Sequence, residues 1–521
     1  MITSNRLRTR CVGMAAAGVV CLVHIVLRPP SQDFASGHFR AGLFRDGVYL
    51  WNNLWFGGHP LPGYGIVSPM LGGTIGVVPT AVVSVLVATW CFILIMERLW
   101  ETRPELPDPL LSIVLFALGC GVNLWGGRLT FGPAVMFGTA CILAMQRNRK
   151  VAAMLLAALC GLSSPLGALS LVILLGAAWM AKVTSRRFLV LVSVAAVAPI
   201  GVLIVLFPEG GWFPFHVGSL VMLGVALGVV GWSARDIPLV RWFTIIYAAI
   251  AVAAFVVESP LGGNVIRLGW PLAGPVAAIT IRTHRRTILP VFVAATLVWN
   301  WSYVKIALLP AERTASASYY DSLAAYLHTL PEVLRVEVVP TPTLTETDEL
   351  AVHIQGIARG WETQIDRQMN AVFYDGTLDA ASYHAWLLDR AVSVVALPLD
   401  SVRPMSEIEA AVIRSRPAYL EPIWSNADWQ VYRVRDATSL ADHGASVTDV
   451  QPESLTISAT TAGWSTVKFR FTDMYEVTSG DACLSSTSDG WVRLLVHQPG
   501  TIRLTIGLSM DALLSRERPC G

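Results

Sequence analysis

Residues 188–207 read FLVLVSVAAVAPIGVLIVLF, a run of 20 residues without a charged side chain. A helix of about 20 apolar residues spans the hydrocarbon core of a bilayer. Runs of this kind recur between residues 11 and 308 and predict about eleven membrane-spanning helices, although two of the runs are short enough to leave the count open by one or two. The predicted spans are 11–28, 78–97, 108–125, 131–146, 150–163, 165–182, 187–207, 216–233, 239–257, 269–282 and 287–308.

The composition of the whole chain agrees with a membrane protein. Of its 521 residues, 54% are hydrophobic and only 14% are charged, and the mean hydropathy is +0.55. Soluble domains carry about 25% charged residues. These values exclude a soluble enzyme, a disordered protein and a small disulfide-stabilised protein.

The net charge of +2 conceals two unlike halves. Residues 1–310 carry 22 Lys and Arg against 9 Asp and Glu, whereas residues 311–521 carry 16 against 27. The basic residues of the first half lie in short loops, as they do in the cytoplasmic loops of membrane proteins, and they do not indicate a nucleic-acid partner. The pattern predicts a multi-pass plasma-membrane protein with a cytoplasmic N-terminus, a transmembrane domain over 1–310 and an extracytoplasmic C-terminal region.

The first predicted outer loop, residues 29–77, is dense in polar and aromatic side chains. Its stretch 34–56 is typical of a helix lying in the membrane interface. Asp33 directly follows the first span, and two interpretations stay open: a catalytic carboxylate or metal ligand, or an N-cap of a helix. Aromatic residues of the loop suit either sugar and prenyl contacts or interfacial anchoring.

Two arginines stand at predicted outer helix ends between glycines. Arg128 lies in GGRLTFG and Arg267 in GGNVIRLG. A guanidinium binds phosphate through two parallel hydrogen bonds, so either residue is a candidate phosphate ligand. The alternative is that each side chain extends to the lipid headgroups.

The C-terminal region predicts two modules. Residues 311–440 alternate helical and strand patterns and predict an α/β domain, while 441–521 contain short β-rich runs typical of a β-sandwich. Cys483 and Cys520 are candidates for a disulfide in an oxidising compartment. The sandwich either binds sugar or shapes the outer cavity. A polar–aromatic cluster either faces the first outer loop or forms an internal ion-pair network, and its members are Arg359, Trp361, Glu362, Asp366 and Asn370.

Residues along most of the chain resemble the GT-C superfamily of polytopic membrane glycosyltransferases, and in particular its actinobacterial branch with a long first outer loop. In the loop the resemblance rests on Asp33, Phe34, His38, Arg40, Leu50, Trp51, Asn52, Trp55, Gly58, His59, Leu61, Pro62, Gly63, Tyr64 and Pro69. Further along it rests on Gly127, Arg128, Leu129, Phe131, Ser164, Pro165, Asn264, Arg267 and, in the C-terminal region, on the cluster named above with Tyr383, Trp386 and residues 395–398.

The resemblance implies a GT-C-like helical membrane domain with a C-terminal extracytoplasmic region, and an enzyme that takes a sugar from a polyprenyl-phosphate carrier. The acceptor would be a glycan, lipid or protein of the cell envelope on the outer face. Asp33 matches the position of the family's catalytic carboxylate and would act as the general base. The resemblance also implies a set of candidate substrate and phosphate ligands, namely His38, Arg40, Trp51, Asn52, His59, Tyr64, Arg128 and Arg267.

The sequence departs from the family in one respect. Many members have two acids close together, whereas the nearest downstream acid to Asp33 is Asp46, thirteen residues on. A divalent cation, Mg²⁺ or Mn²⁺, held by these two residues therefore stays an open alternative. A non-catalytic envelope scaffold and a transporter of lipid-linked sugars also remain, although a transporter usually places ionisable residues inside its spans and here nearly all charges lie at span ends.

Overall fold

A computed structural model of the chain describes residues 2–29, 31–282, 285–299, 312–508 and Cys520. The described chain is helical in its first part and rich in β-strands towards its C-terminus. It divides into two compact units. Unit 1 comprises residues 1–45, 63–205 and 212–311, and unit 2 comprises residues 46–62, 206–211 and 312–521.

Unit 1 is built from α-helices that follow the apolar runs of the sequence. Proline is the first residue of α8 and α11, a position where its missing N–H would have no partner within the helix. The helices are α1 (Ile2–Leu27), α2 (Gln32–Arg45), α3 (Val67–Ile75), α4 (Val77–Thr102), α5 (Leu110–Trp125), α6 (Phe131–Gln146), α7 (Lys150–Ser163), α8 (Pro165–Met180), α9 (Arg186–Leu206), α10 (Val217–Ser233), α11 (Pro238–Val256), α12 (Gly269–Thr280) and α13 (Arg285–Trp299).

A helix overlaps each predicted span, but the number of membrane crossings stays a prediction. Among the described residues, four helices are long and apolar enough to cross a bilayer: Arg6–Leu27, Val77–Thr102, Arg186–Leu206 and Pro238–Val256. Five others, α5, α6, α7, α8 and α10, are apolar but only 14 to 17 residues long. The part of the last predicted span beyond residue 299 lies outside the described residues.

The packing of unit 1 places large apolar side chains on its surface. Val205, Val256 and Val298 are 78%, 71% and 72% exposed. Helices that are apolar on all sides are typical of a protein surrounded by lipid. Between α1 and α4, Arg10 donates to Glu97 through two hydrogen bonds of 2.8 Å, so that this pair joins the ends of two helices without leaving a lone charge.

The first outer loop is helical over a shorter stretch than the sequence predicts. The helix expected over 34–56 is confirmed only as far as Arg45, where α2 ends. Gly47 then has φ 83°, a left-handed conformation that favours glycine and does not continue a helix. The chain continues as a short antiparallel hairpin of β1 (Trp51–Asn52) and β2 (His59–Pro60).

Unit 2 contains a four-stranded mixed sheet with the order β3-β4-β6-β5. β4 is parallel to β3 and antiparallel to β6, and it is buried at six of its seven positions, as its continuous apolar sequence predicts. The strands are β3 (Arg335–Val338), β4 (Val392–Pro398), β5 (Leu420–Ser425) and β6 (Trp429–Val434). The helices are α14 (Ser318–Leu327), α15 (Glu346–His353), α16 (Thr363–Met369), α17 (Ala380–Asp389) and α18 (Glu407–Arg414).

The last part of unit 2 consists of two antiparallel sheets, ordered β10-β13-β8-β7 and β11-β12-β9. Buried and half-buried residues alternate along most of β8 and β9, which is the pattern of a sheet with one face in a core. A disulfide joins Cys483 of β11 to Cys520, with Cα atoms 5.7 Å apart. The strands are β7 (Ala445–Gln451), β8 (Ser454–Ala459), β9 (Gly463–Arg470), β10 (Tyr475–Ser479), β11 (Ala482–Ser486), β12 (Trp491–Val496) and β13 (Gly500–Ile506).

Candidate functional site

Three charged side chains of unit 1 converge at the start of α2. Asp33 lies in the first turn of this helix, and its Oδ2 is 3.5 Å from Arg128 Nε and 3.9 Å from Arg267 Nη2. The side chain of Asp33 is 23% exposed, whereas those of the two arginines are 9% and 10% exposed. Both distances exceed the roughly 2.7–3.2 Å of an N–H···O hydrogen bond. The carboxylate is therefore held by the charge of two buried guanidinium groups and stays accessible.

A tight turn after α5 brings Arg128 to Asp33. Gly127 has φ 67°, and a Cβ at this position would overlap the Ser31 hydroxyl and lie 2.8 Å from the backbone nitrogen of Phe34. Ser31 Oγ donates a hydrogen bond to Gly126 O, which joins the same two segments. Only glycine allows the turn to approach the start of α2 so closely, so the GGR sequence places the guanidinium beside the carboxylate.

Arg267 and the support of Arg128 come from the segment before α12. Arg267 lies in the 3₁₀ helix Gly262–Leu268, where Tyr247 Oη donates to Val265 O at 2.7 Å. Trp270, three residues later, packs on Arg128, whose Cζ is 3.7 Å from the indole centroid. This cation–π contact fixes the plane of the guanidinium. Trp270 is not among the candidates from the sequence, although its position directly after the Arg267 motif is a usable signal.

An apolar pocket adjoins Arg128 between α4, α5 and α6. Its wall contains the polar side chains of Ser84, Asn123 and Arg128. The apolar wall includes Ala81, Val85, Ala88, Leu124, Leu129 and Val135. A pocket that combines hydrocarbon contacts with a guanidinium suits a ligand with a hydrocarbon chain and an anionic head, since each part then meets its own kind of surface.

Three further candidates of the first outer loop lie in unit 1. His38 is exposed on α2, and its ring stacks on Phe34 with 6.2 Å between centroids. Arg40 is buried, and its Cζ is 5.3 Å from the centroid of Tyr64. Arg40 and Tyr64 therefore pack on each other, two turns along α2 from Asp33.

The remaining loop candidates, Trp51, Asn52 and His59, are buried in unit 2. Asn52 Nδ2 is 3.1 Å from His59 Nε2, and the His59 ring stacks on Trp55 with 5.7 Å between centroids. Trp51 Nε1 donates to Asn53 Oδ1 at 2.8 Å. These contacts stabilise the hairpin.

Two glutamates lie beside the second nitrogen of His59. His59 Nδ1 is 3.3 Å from Glu362 Oε2 and 4.0 Å from Glu209 Oε1, and the three side chains are 1%, 0% and 11% exposed. One donor atom from each lies within 4.8 Å of the others. The sequence named His59 and Glu362 separately, in the first outer loop and in the C-terminal cluster. The sequence did not link these two residues with Glu209, because the three lie far apart along the chain and no local pattern predicts that they meet.

The two acids proposed to share a cation are separated by the length of α2. Asp33 lies in its first turn and Asp46 directly follows its last residue, Arg45. At 1.5 Å per residue the helix places the two ends about 18 Å apart. Ligands of one Mg²⁺ or Mn²⁺ lie within about 2.5 Å of the ion, so Asp33 and Asp46 do not share one.

Arg359, Asp366 and Asn370 belong to a buried polar network within unit 2. Arg359 donates to Glu337 Oε1 at 2.8 Å and to Glu409 Oε2 at 2.5 Å, and Asn370 Nδ2 donates to Asp366 Oδ1 at 2.8 Å. This is the internal network that the sequence left as one of two alternatives. Trp361, the remaining member of the predicted cluster, is half-buried.

Burial perturbs the two glutamates of this network, neither of which the sequence singled out. Burial raises the pKa of Glu337 well above its usual value and Glu409 adds to the increase, although Arg359 lowers it. Burial also raises the pKa of Glu409. Two carboxyl groups that share one guanidinium in the interior therefore retain a proton at pH values where exposed glutamates have lost theirs.

Comparison with known proteins gives similarity in structure alone. No protein-family model matches the chain, and no curated protein matches it in sequence. A cryo-EM structure of the arabinofuranosyltransferase AftD from Mycobacteria aligns over 96% of this chain and 57% of that chain, with 13% identity and a TM-score of 0.45. A structure of an AftD mutant aligns over 87% of this chain and 43% of that chain, with 14% identity and a TM-score of 0.46.

The chain thus spans about half the length of the AftD chains that it matches. These matches are a likeness in structure to part of an arabinofuranosyltransferase from Mycobacteria.

Proposed function

We propose that the protein is a membrane glycosyltransferase that moves a sugar from a polyprenyl-phosphate donor to an envelope glycan, lipid or protein on the outer face of the plasma membrane. The observation that carries the proposal is the placement of Asp33 between Arg128 and Arg267 at 3.5 and 3.9 Å, with an apolar pocket beside Arg128. The proposal includes a cytoplasmic N-terminus, about eleven spans and an extracytoplasmic C-terminal region.

The two arginines would bind the phosphate of the donor. As the bond from the anomeric carbon to the phosphate oxygen breaks, negative charge grows on the leaving polyprenyl phosphate. Guanidinium groups that are already in position stabilise this charge, and such preorganised stabilisation is commonly the largest contribution to catalysis. The apolar wall beside Arg128 would hold the first isoprene units, so the headgroup and the chain are bound by adjacent surfaces.

Asp33 would accept the proton of the acceptor hydroxyl as that oxygen attacks the anomeric carbon. The role requires a carboxylate that the acceptor can reach, and the 23% exposure of Asp33 meets this requirement. General-base assistance of this kind contributes about 10²–10⁴-fold to a rate. The same two arginines would orient the Asp33 carboxylate, so the general base and the ligands of the leaving phosphate would lie side by side.

The decisive experiment is the substitution Asp33→Asn in cells or membranes that contain the chain. We expect the variant to reach the wild-type level in the membrane, while the envelope glycan changes and the polyprenyl-phosphate sugar accumulates. The accumulated lipid would identify the donor. Asp46→Asn, an exposed acid just beyond the other end of α2, is the matched control and is expected to behave as wild type.

A different outcome would redirect the proposal. If Asp33→Asn is present at the normal level and both the glycan and the lipid-linked sugar are unchanged, Asp33 is not the base. A non-catalytic envelope scaffold or a transporter of lipid-linked sugars would then explain the fold better than an enzyme does.

A further inference from the structure

We propose that His59, Glu209 and Glu362 bind one divalent transition-metal ion, with Zn²⁺ and Mn²⁺ as the best candidates. All three residues belong to unit 2, whereas Asp33, Arg128 and Arg267 belong to unit 1. The inference therefore does not depend on the proposed glycosyl transfer. It assigns the ion a structural task, which is to join three segments of unit 2 that are distant in the sequence.

The donor atoms have the chemistry and nearly the spacing of a metal site. Zinc is bound by imidazole nitrogen and carboxylate oxygen at about 2.0–2.2 Å, so neighbouring ligands of a tetrahedral ion lie about 3.4 Å apart. The pair His59 Nδ1 and Glu362 Oε2 is 3.3 Å apart. Glu209 Oε1 lies 4.0 Å from the same nitrogen, and no pair of donors is more than 4.8 Å apart.

A small rotation of one side chain completes the site. Glu209 is the more exposed of the two glutamates, at 11% against 0% for Glu362, so it is the ligand with room to move. Three protein ligands leave at least one coordination position for water. One nitrogen with two carboxylate oxygens suits Zn²⁺ or Mn²⁺ better than Ca²⁺ or Mg²⁺, which prefer oxygen ligands alone.

The surrounding contacts hold His59 and Glu362 in place. The His59 ring is stacked on Trp55, and the edge of Phe56 meets it at 5.9 Å between centroids. Trp55 Nε1 in turn donates to Thr347 O at 2.8 Å. Glu362 directly precedes α16, and its backbone O accepts the first hydrogen bond of that helix. Ligands fixed by their own packing need little reorganisation when an ion binds.

Two glycines bring Glu209 to the same place. A Cβ on Gly210 would overlap the side chain of Gln368, and a Cβ on Gly211 would overlap the backbone oxygen of Gln364. Both contacts are with α16. The segment 206–211 can therefore lie on this helix only because glycines follow Glu209, and the approach places the Glu209 carboxylate near Glu362.

Asn52 determines which proton the ion would replace. Its Oδ1 accepts from the backbone N–H of Leu54 at 3.0 Å, so its Nδ2 faces His59 Nε2. In this arrangement the ring proton is on Nδ1, towards Pro60 O at 3.0 Å and Glu362. A metal ion on Nδ1 would take the place of that proton, which passes to Nε2. The amide of Asn52 would then turn its oxygen towards Nε2–H and give up the hydrogen bond from Leu54 N–H, and this Nε2–H···O contact is the outer one that metal-bound histidines usually have.

The test is the metal content of the full-length chain purified in detergent without a histidine tag. The protein is stripped with EDTA, given one equivalent of Zn²⁺ or Mn²⁺, desalted and analysed by mass spectrometry. We expect about one ion per chain in the wild type. Glu209→Gln and Glu362→Gln should each weaken the affinity by at least about 100-fold, since loss of even an outer-shell partner costs about 10–100-fold.

Glu346→Gln is the matched control because Glu346 is also a buried glutamate of unit 2, at 2% exposure, and lies outside the cluster. It should retain the ion. Thermal unfolding adds a second measurement: the ion should raise the melting temperature of the wild type and of Glu346→Gln by several degrees and leave that of Glu209→Gln unchanged.

X-ray absorption at the zinc edge of the wild-type chain makes the test independent of how the variants fold. The proposal requires one nitrogen and at least two oxygens in the first coordination shell. It is overturned if the wild type retains no ion, if Glu209→Gln and Glu362→Gln retain it as the control does, or if the coordination shell contains oxygen alone.

Discussion

Replacement of Arg128 by lysine tests the proposed catalytic site most directly, because lysine keeps the positive charge but lacks the planar pair of N–H donors. The guanidinium of Arg128 is 3.5 Å from the Asp33 carboxylate, and its flat face lies 3.7 Å from the Trp270 ring centroid. A lysine ammonium is a compact charge on a flexible stem and presents no planar pair of donors. It can neither stack on the indole in this way nor bind a phosphate through two parallel hydrogen bonds.

The expected loss follows from these contacts. Removal of one preorganised donor to a developing oxyanion costs about 2.7–4 kcal/mol, or about 10²–10³-fold in kcat. Because lysine retains the positive charge, the loss should fall near the lower limit, about 100-fold. The cation–π contact, worth about 0.5–2 kcal/mol, is also lost, so the lysine ammonium is held less firmly in place. We therefore expect kcat to fall much more than KM rises.

The assay uses purified chain and the polyprenyl-phosphate sugar that accumulates when Asp33 is replaced by asparagine. Arg186→Lys is the matched control, since Arg186 also lies over a tryptophan ring, Trp179, at 5.4 Å, but stands at the start of α9. If Arg128→Lys transfers sugar within about twofold of the wild-type rate, a difference of about 0.4 kcal/mol, the assignment of Arg128 to the leaving phosphate is wrong.

Three further predictions concern stability. Gly127→Ala should destabilise the chain by about 1–3 kcal/mol, because a residue in the left-handed region would acquire a Cβ for which there is no space. Gly18→Ala is the control and should not destabilise it, since no atom lies within 4 Å of the new Cβ. The level of each variant in the membrane and its melting temperature are the measurements. Burial raises the pKa of Glu346 to about 7, so its contribution to the free energy of unfolding is present below about pH 4.5 and is lost as the pH rises through 7, a change of about 3 kcal/mol. Unfolding of Glu346→Gln measured from pH 5 to 8 should be correspondingly less dependent on pH, and an unchanged slope would contradict the assignment. Cys483→Ser should lower the free energy of unfolding by about 3–4 kcal/mol, because the disulfide closes a loop with a sequence separation of 37, and urea titration with and without reductant is the measurement.

The candidate site of unit 1 shows how far individual residues could be predicted. Asp33, Arg128 and Arg267 were all candidates from the sequence, because each is a charged residue beside a helix end in an otherwise apolar region. Their mutual distances were not predictable, since the residues lie 95 and 139 positions apart along the chain. Trp270 was missed because a tryptophan near a predicted span is equally typical of interfacial anchoring.

The first outer loop shows where the pattern was insufficient. Its aromatic and charged residues suggested one surface helix and one set of substrate ligands. In the structure, residues 31–45 and 63–77 belong to unit 1, whereas residues 46–62 belong to unit 2. Amphipathic composition does not reveal where a helix ends when a glycine with positive φ follows, as Gly47 does here. His59 and Glu362 were named for different reasons and turned out to lie 3.3 Å apart.

The sequence by itself determined that this is an apolar, mostly helical chain with a polar β-rich C-terminal region, because hydrophobic periodicity is a local property that each segment carries alone. It also indicated the alternation of helices and strands over 311–440 and the β-rich runs of 441–521. The tertiary structure alone decided which charges meet, that Arg359 is neutralised by Glu337 and Glu409, and that Glu209 joins His59 and Glu362. Such contacts depend on the path of the backbone between distant segments and on glycines that permit close approach. The composition of a single segment predicts neither of these.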